Sequence, residues 1–305
     1  MARPQRVKIR EVGPRDGFQN EPDLIPTDDK VRLIKALGAA GFSHMEVASF
    51  VRPDVIPQLA DAIEVLRRIE VPEAVRLSVL LPNERGLDNA LAVREHFDEV
   101  GLVVSASETH NQKNVNRSIG ESMDASSRMI PRAKTEGLHC EAIVATAYGC
   151  PYEGEVKVDT VLDLAERFLE MGAAEIGFGD TTGMANPGQV EEFFGQAFAR
   201  LPGVELTAHF HNTRGQGLAN ALAALNMGCA SFESSFGELG GCPVPPGSTG
   251  NIATEDLLSM FSEMGVETGV DLRAVIDAAR LAQDLLGRKL GSHTLVAGPI
   301  DWHRH

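Results

Sequence analysis

The chain has 305 residues, and its 28 Lys+Arg against 43 Asp+Glu leave a formal charge of −15 at pH 7. So acidic a surface repels a phosphate backbone, which argues against a nucleic-acid partner. Hydrophobic residues at 43% and charged residues at 23% are ordinary globular proportions and exclude disorder as the main state.

The amino terminus carries Arg3 and Arg6 but no apolar stretch behind them. No later window approaches the roughly 18 apolar residues of a membrane span, so a cytoplasmic protein without a membrane anchor is expected. Cys140, Cys150, Cys229 and Cys242 show neither a CxxC pair nor the density of a disulfide scaffold. Reduced thiols are the better reading, and zinc-finger chemistry is excluded.

From the amino terminus onward, short β-branched runs alternate with segments whose apolar residues recur every three or four positions, the mark of βα units around a parallel sheet. The runs fall at residues 7–13, 44–49, 75–81, 99–107, 139–147, 175–181, 205–212 and 231–236. Between them, residues 27–38 place Val31, Ile34 and Leu37 on one face, and residues 158–172 do the same with Val161, Leu164, Phe168 and Met171. Glycines recur before strands 2, 6 and 8, at Gly38 and Gly41, Gly172 and Gly228, where a helix end closes in the left-handed conformation. Eight strands, each followed by a helix, predict an α/β fold of the (β/α)₈ TIM-barrel type, with an open doubly wound sheet as the alternative. No linker divides the chain, so one domain over residues 1–305 is expected. Residues 253–264 and 271–286 supply the last barrel helix and additional C-terminal helices.

A barrel of this kind builds its site at the C-terminal ends of the strands. Strand 1 runs into Gly13-Pro14-Arg15-Asp16-Gly17, strand 2 carries Glu46 and Ser49, strand 6 ends at Asp180, and strand 7 at His209 and His211. Period two along a strand puts His209 and His211 on one face, where two nitrogens can grip one cation, and sends Phe210 toward the helices. With Asp16 added, the set suits a six-coordinate Mg²⁺ or Mn²⁺ better than a closed zinc site. Asn251 can add an amide oxygen. Arg15 can hold an oxyanion or carboxylate through its forked donors, or serve as the structural partner of Glu46, a carboxylate in an otherwise apolar strand. Cys242 sits in a glycine- and proline-rich loop able to close over a site, where a thiol can act as general acid or base. The other cysteines read as inert small hydrophobes, Cys150 least clearly.

Gly177-Phe178-Gly179-Asp180-Thr181-Thr182-Gly183 imitates a dinucleotide fingerprint with one residue too many, so neither NAD nor flavin is expected. The loop around Gly241 and Gly247 lacks the Lys-Ser/Thr of a phosphate loop.

Together these motifs resemble 3-hydroxy-3-methylglutaryl-CoA lyase, within the metal-dependent TIM-barrel lyases and acyltransferases that include isopropylmalate and homocitrate synthases. The match spans nearly the whole chain. It rests on Val12 to Asn20, Glu46 with Ser49-Phe50-Val51, Ser107-Glu108 with Lys113-Asn114-Val115-Asn116, Gly149 to Gly154, Gly179-Asp180-Thr181, His209-x-His211, Gly240-Gly241-Cys242-Pro243 and Gly250-Asn251.

The resemblance implies a divalent cation held by Asp16, His209, His211 and Asn251. It also implies Arg15 stabilising the reacting oxygens, Cys242 as the proton-transfer residue, and Glu46 and Asp180 supporting the site. Gln19, Ser49 and Arg214 are assigned to the substrate-facing rim. The reaction implied is retro-Claisen-type cleavage of an acyl-CoA, giving acetyl-CoA and acetoacetate from the parent substrate, in a homodimer. The chain departs from the usual lyase pattern at Asn212-Thr213-Arg214, where Asp-Thr-Tyr is typical, at Phe18 for leucine, and in the prolines after Cys242. The first change makes the rim more positive, which favours a different acyl group or an extra carboxylate. His-x-His-Asn is also the spelling of the condensing synthases, although these lack the Gly-Gly-Cys-Pro loop and usually carry further domains.

Overall fold

The computed structural model describes residues 3–240 and 250–302. Eight parallel strands close a barrel in the order β1-β2-β3-β4-β5-β6-β7-β8, with β1 pairing β8, which settles the architecture against an open sheet. They are β1 (Lys8–Glu11), β2 (His44–Ser49), β3 (Arg76–Leu80), β4 (Glu99–Ser105), β5 (His139–Ala145), β6 (Glu175–Asp180), β7 (Glu205–Phe210) and β8 (Ser231–Ser234). The helices are α1 (Thr27–Gly38), α2 (Ala62–Arg68), α3 (Glu84–Leu91), α4 (Glu108–Val115), α5 (Ile119–Thr135), α6 (Val158–Met171), α7 (Pro187–Arg200), α8 (Gly217–Asn226), α9 (Thr254–Glu263), α10 (Leu272–Leu286) and α11 (His293–Ala297). Among the described residues no helix is long and apolar enough to cross a membrane.

Several strands stop earlier than their apolar runs, each for a local reason. After Glu11 the chain winds into a single π-helical turn, Gly13–Gly17, with Pro14 where no hydrogen-bond donor is needed. β4 ends before Ser107, whose hydroxyl accepts from the His110 amide and caps α4. β7 ends at Phe210 because the Asn212 amide leaves the barrel ladder and donates to the Gly250 carbonyl at 3.0 Å. The buried face of α1 is also turned slightly from expectation, with Leu33, Ile34 and Leu37 inside and Val31 only half-buried.

Most of the apolar packing lies between the sheet and the helices. Phe178 of β6 meets Phe193 and Phe194 of α7 with ring centroids 4.8 and 6.4 Å apart. Phe210 points the same way, 5.8 Å from the Tyr148 ring. All three phenylalanines of the first group are fully buried, each contributing roughly 1.5–3 kcal/mol of transfer free energy.

The floor of the barrel interior is charged. Arg10 of β1 reaches Glu175 and Glu141 at 2.6 Å each and also Glu99. One guanidinium from β1 that touches β4, β5 and β6 must lie inside the barrel, and it is only 3% exposed. Burial opposes its charge, but the four surrounding glutamates outweigh that penalty and raise its pKa well above the ordinary value. Charges thus run up the axis from this floor toward the opposite rim.

Candidate active site

The π-helical turn after β1 presents Arg15 and Asp16 side by side at the C-terminal rim. Arg15 Nη1 donates to Asp16 Oδ1 at 2.6 Å, and its Nε donates to Glu46 Oε2 from β2. The three charges are nearly buried together. Burial, reinforced by the neighbouring Glu233, pushes the Glu46 carboxyl up to about 7 although the Arg15 charge opposes the shift. For Asp16 burial also acts upward, but Arg15 and the two nearby imidazoles prevail and hold it below the usual carboxylate range.

The other wall comes from β7. His209 and His211 face each other with their Nε2 atoms 3.0 Å apart. Ligand atoms of Asp16, His209 and His211 lie within 4.8 Å of one another. The strand spacing and the π turn therefore bring together the carboxylate and imidazoles singled out in the sequence.

Asn251 arrives by a separate route. Residues 250–254 wedge between the ends of β7 and β8, with Ile252 N bonded to Phe210 O at 3.1 Å and Ser235 N to Ile252 O at 3.1 Å. That placement lets Asn251 Nδ2 donate to Asp16 Oδ2 at 2.7 Å. Asn251 Oδ1 is buried without a hydrogen-bond partner, an arrangement that is unfavourable unless something electropositive meets it. Gly240 leaves room here, because a Cβ at that position would stand 2.6 Å from Asn251 Nδ2 and 3.2 Å from Asp16 Oδ2. A carboxylate, two imidazoles and an orphaned amide oxygen form a donor set that fits a divalent cation.

Asp180, at the end of β6, accepts backbone donors from Met184 at 2.8 Å and Ala185 at 3.1 Å through Oδ1, while Oδ2 is buried and unpartnered. Burial pushes its carboxyl up to about 7 against those bonds and the charges of His209 and Arg214.

The residues assigned to the substrate-facing rim are engaged by the protein itself. Gln19 Nε2 donates to Asp16 Oδ1 at 2.7 Å, the Ser49 hydroxyl to Leu80 O at 3.2 Å, and Arg214 Nη1 to Thr182 O and Gly183 O at 2.9 and 2.8 Å. Asn212 likewise turns its amide to Glu238 Oε1 at 2.8 Å. Arg214 thus braces the loop between β6 and α7 through Nη1, while its side chain stays exposed and keeps its charge at the rim. Cys242 lies outside the described residues. Cys140 and Cys229 are buried, and burial pushes their thiols up to about 11 and about 12, which keeps them inert. The buried Cys150 Sγ accepts a hydrogen bond from the Ser107 hydroxyl at 3.0 Å.

The model of the family described as HMGL-like matches residues 6–282. The chain belongs to the HMGL-like family. Hydroxymethylglutaryl-CoA lyase of Bacillus subtilis is 44% identical over 295 residues, covering 97% of this chain and 98% of that protein. The crystal structure of the B. subtilis HMG-CoA lyase superposes with a TM-score of 0.94 at 44% identity, covering 97% of this chain and 99% of that one. An HMG-CoA lyase from Acinetobacter baumannii, solved with coenzyme A and 3-methylmalate, gives the same TM-score of 0.94 at 40% identity, with 99% and 97% covered.

Sequence reading missed Glu233, which bonds His209 Nδ1 at 2.8 Å, and Arg10 behind it. In the four-residue β8, Ser-Phe-Glu-Ser, a carboxylate among serines does not stand out as Glu46 does between Met45 and Val47.

Proposed function

We propose that this HMGL-like chain is a divalent-metal-dependent carbon–carbon lyase that cleaves 3-hydroxy-3-methylglutaryl-CoA to acetyl-CoA and acetoacetate. The observation that carries this reading is the convergence of Asp16, His209, His211 and the orphaned Asn251 oxygen beside Arg15, in a chain 44% identical to a hydroxymethylglutaryl-CoA lyase along almost its whole length. Asp16, His209, His211 and Asn251 hold the cation, taken as Mg²⁺ or Mn²⁺. When bound, such an ion supplies Lewis-acid polarisation of substrate oxygens.

The chain's own groups do the rest. Arg15, fixed by Glu46 and Asp16, directs a permanent charge at the oxygen on which negative charge develops as the tertiary alcohol gives up its proton. The bond between C2 and C3 then breaks, its electron pair passing to the acetyl-CoA fragment as an enolate while the alcohol carbon becomes the ketone of acetoacetate. Cys242 protonates the enolate carbon, and the proton the alcohol gave up restores its thiol, so the cleavage exchanges no net proton. Asp180 and Glu46 keep the site's charges in place, and Gln19 orients Asp16.

Mass-spectrometric product analysis with this substrate and with longer 3-alkyl analogues tests the proposal. Acetyl-CoA and acetoacetate in equal amounts, without free CoA, is the expected result. Release of free CoA from acetyl-CoA plus a 2-oxoacid would instead make the chain a condensing acyltransferase.

A further inference from the structure

β7 and β8 are in register at His209 and Glu233, so both side chains project to the same side of the sheet. Glu233 Oε2 lies 2.8 Å from His209 Nδ1, and the carboxylate is only 7% exposed. An ionised carboxylate can only accept, so this bond requires the hydrogen on Nδ1. In the neutral ring Nε2 is then left with its lone pair, and Nε2 is the atom that faces His211 Nε2 at 3.0 Å. Glu233 is itself held in place, with Oε1 3.8 Å from Nε of the buried Arg10, whose remaining nitrogens are taken by Glu99, Glu141 and Glu175.

We propose that Glu233 is a positioning residue of the metal centre: it fixes His209 in the Nδ1-protonated tautomer and in one ring orientation, with Arg10 as its buried countercharge. The inference rests on the metal-centre reading above and extends it inward, joining the charged floor of the barrel to the ligand set. It gives the buried Arg10 cluster a purpose beyond packing. A carboxylate at Nδ1 also makes Nε2 a stronger donor, which is why such partners typically change metal affinity by about 10–100-fold.

The test uses the full-length protein, Mn²⁺ alone as the probe, and no substrate. Free Mn²⁺ is followed by electron paramagnetic resonance for the wild type, Glu233→Gln, Glu233→Ala and Glu233→Asp, alongside the melting temperature of each metal-free protein. About 10–100-fold weaker binding in the alanine variant is expected, with a smaller loss in glutamine, partial recovery in aspartate and little change in metal-free melting. Equal Mn²⁺ affinity in the wild type and all three variants would overturn the role of Glu233. A wild type that binds no Mn²⁺ would remove the metal-centre reading itself. Nitrogen-15 NMR of histidine-labelled, metal-free wild type, read at a pH where the ring is neutral, gives a second readout that needs no variant to fold: a neutral His209 protonated at Nδ1 supports the proposal, and one protonated at Nε2 contradicts it.

Discussion

Asn251 donates to Asp16 Oδ2 at 2.7 Å across a sequence separation of 235 residues, joining the first strand's turn to the segment that follows the eighth strand. The same bond leaves Asn251 Oδ1 buried and unpaired. Asn251→Ala removes both the free acceptor and a donor that orients Asp16. Isothermal titration with Mn²⁺ is expected to show binding at least about tenfold weaker. Unchanged affinity would take Asn251 out of the ligand set.

Arg15 is gripped on two sides, by Glu46 and by Asp16 at 2.6 Å. Arg15→Lys keeps the charge but loses the planar fork, so kcat is expected to fall by about 10²–10³ while Mn²⁺ affinity changes only a few-fold. Glu46→Ala leaves a buried guanidinium short of one partner and is expected to destabilise the fold by about 3–5 kcal/mol, read from denaturant unfolding.

Glu238 holds a left-handed backbone at φ 61 and accepts from Asn212 at 2.8 Å. Asn212→Asp replaces that donor with a second carboxylate, for an expected loss of about 1–3 kcal/mol. Glu238→Gly gives up the bond but relieves backbone strain of about 1–2 kcal/mol, so its melting temperature is expected to stay near wild type. In the Glu238→Gly background, Asn212→Asp becomes nearly neutral, and a double-mutant cycle measures the coupling.

Glu255 is fully buried, accepts the Gly237 amide through both oxygens, and is pushed by burial from 4.5 up to about 8. Between those values the folded chain keeps a proton that the unfolded chain releases. Its contribution is therefore complete below about pH 4.5 and is lost as pH rises toward about 8. Glu255→Gln is expected to flatten this part of the stability profile, with its largest gain over wild type near pH 8. Parallel profiles for the two proteins would show that Glu255 is not the group responsible.

Much of this arrangement was legible because two periods are easy to read. Period two placed His209 and His211 on one face, and the recurrent helix-to-strand joints counted out a closed barrel, with Gly172 and Gly228 at φ 102 and 104 as those turns require. The Arg15–Glu46 pair followed from the rule that a buried carboxylate needs a cation. Arg10 and Glu233 escaped notice because β1 and β8 are only four residues each, too short for an inward polar position to stand out as a pattern. The floor glutamates were hidden for a related reason. Glu99 and Glu175 open their strands, where a charge ordinarily marks the start of solvent, and only barrel closure turns them onto Arg10.

The most direct test strips the protein with a chelator and assays 3-hydroxy-3-methylglutaryl-CoA cleavage as Mg²⁺ or Mn²⁺ is added back, for the wild type and for Asp16→Ala. No turnover is expected in the stripped protein, with acetyl-CoA and acetoacetate appearing in proportion to bound metal. Asp16→Ala is expected to stay inactive at cation concentrations that saturate the wild type. Full cleavage by the stripped protein, or by Asp16→Ala, would rule out a metal-dependent lyase at this site.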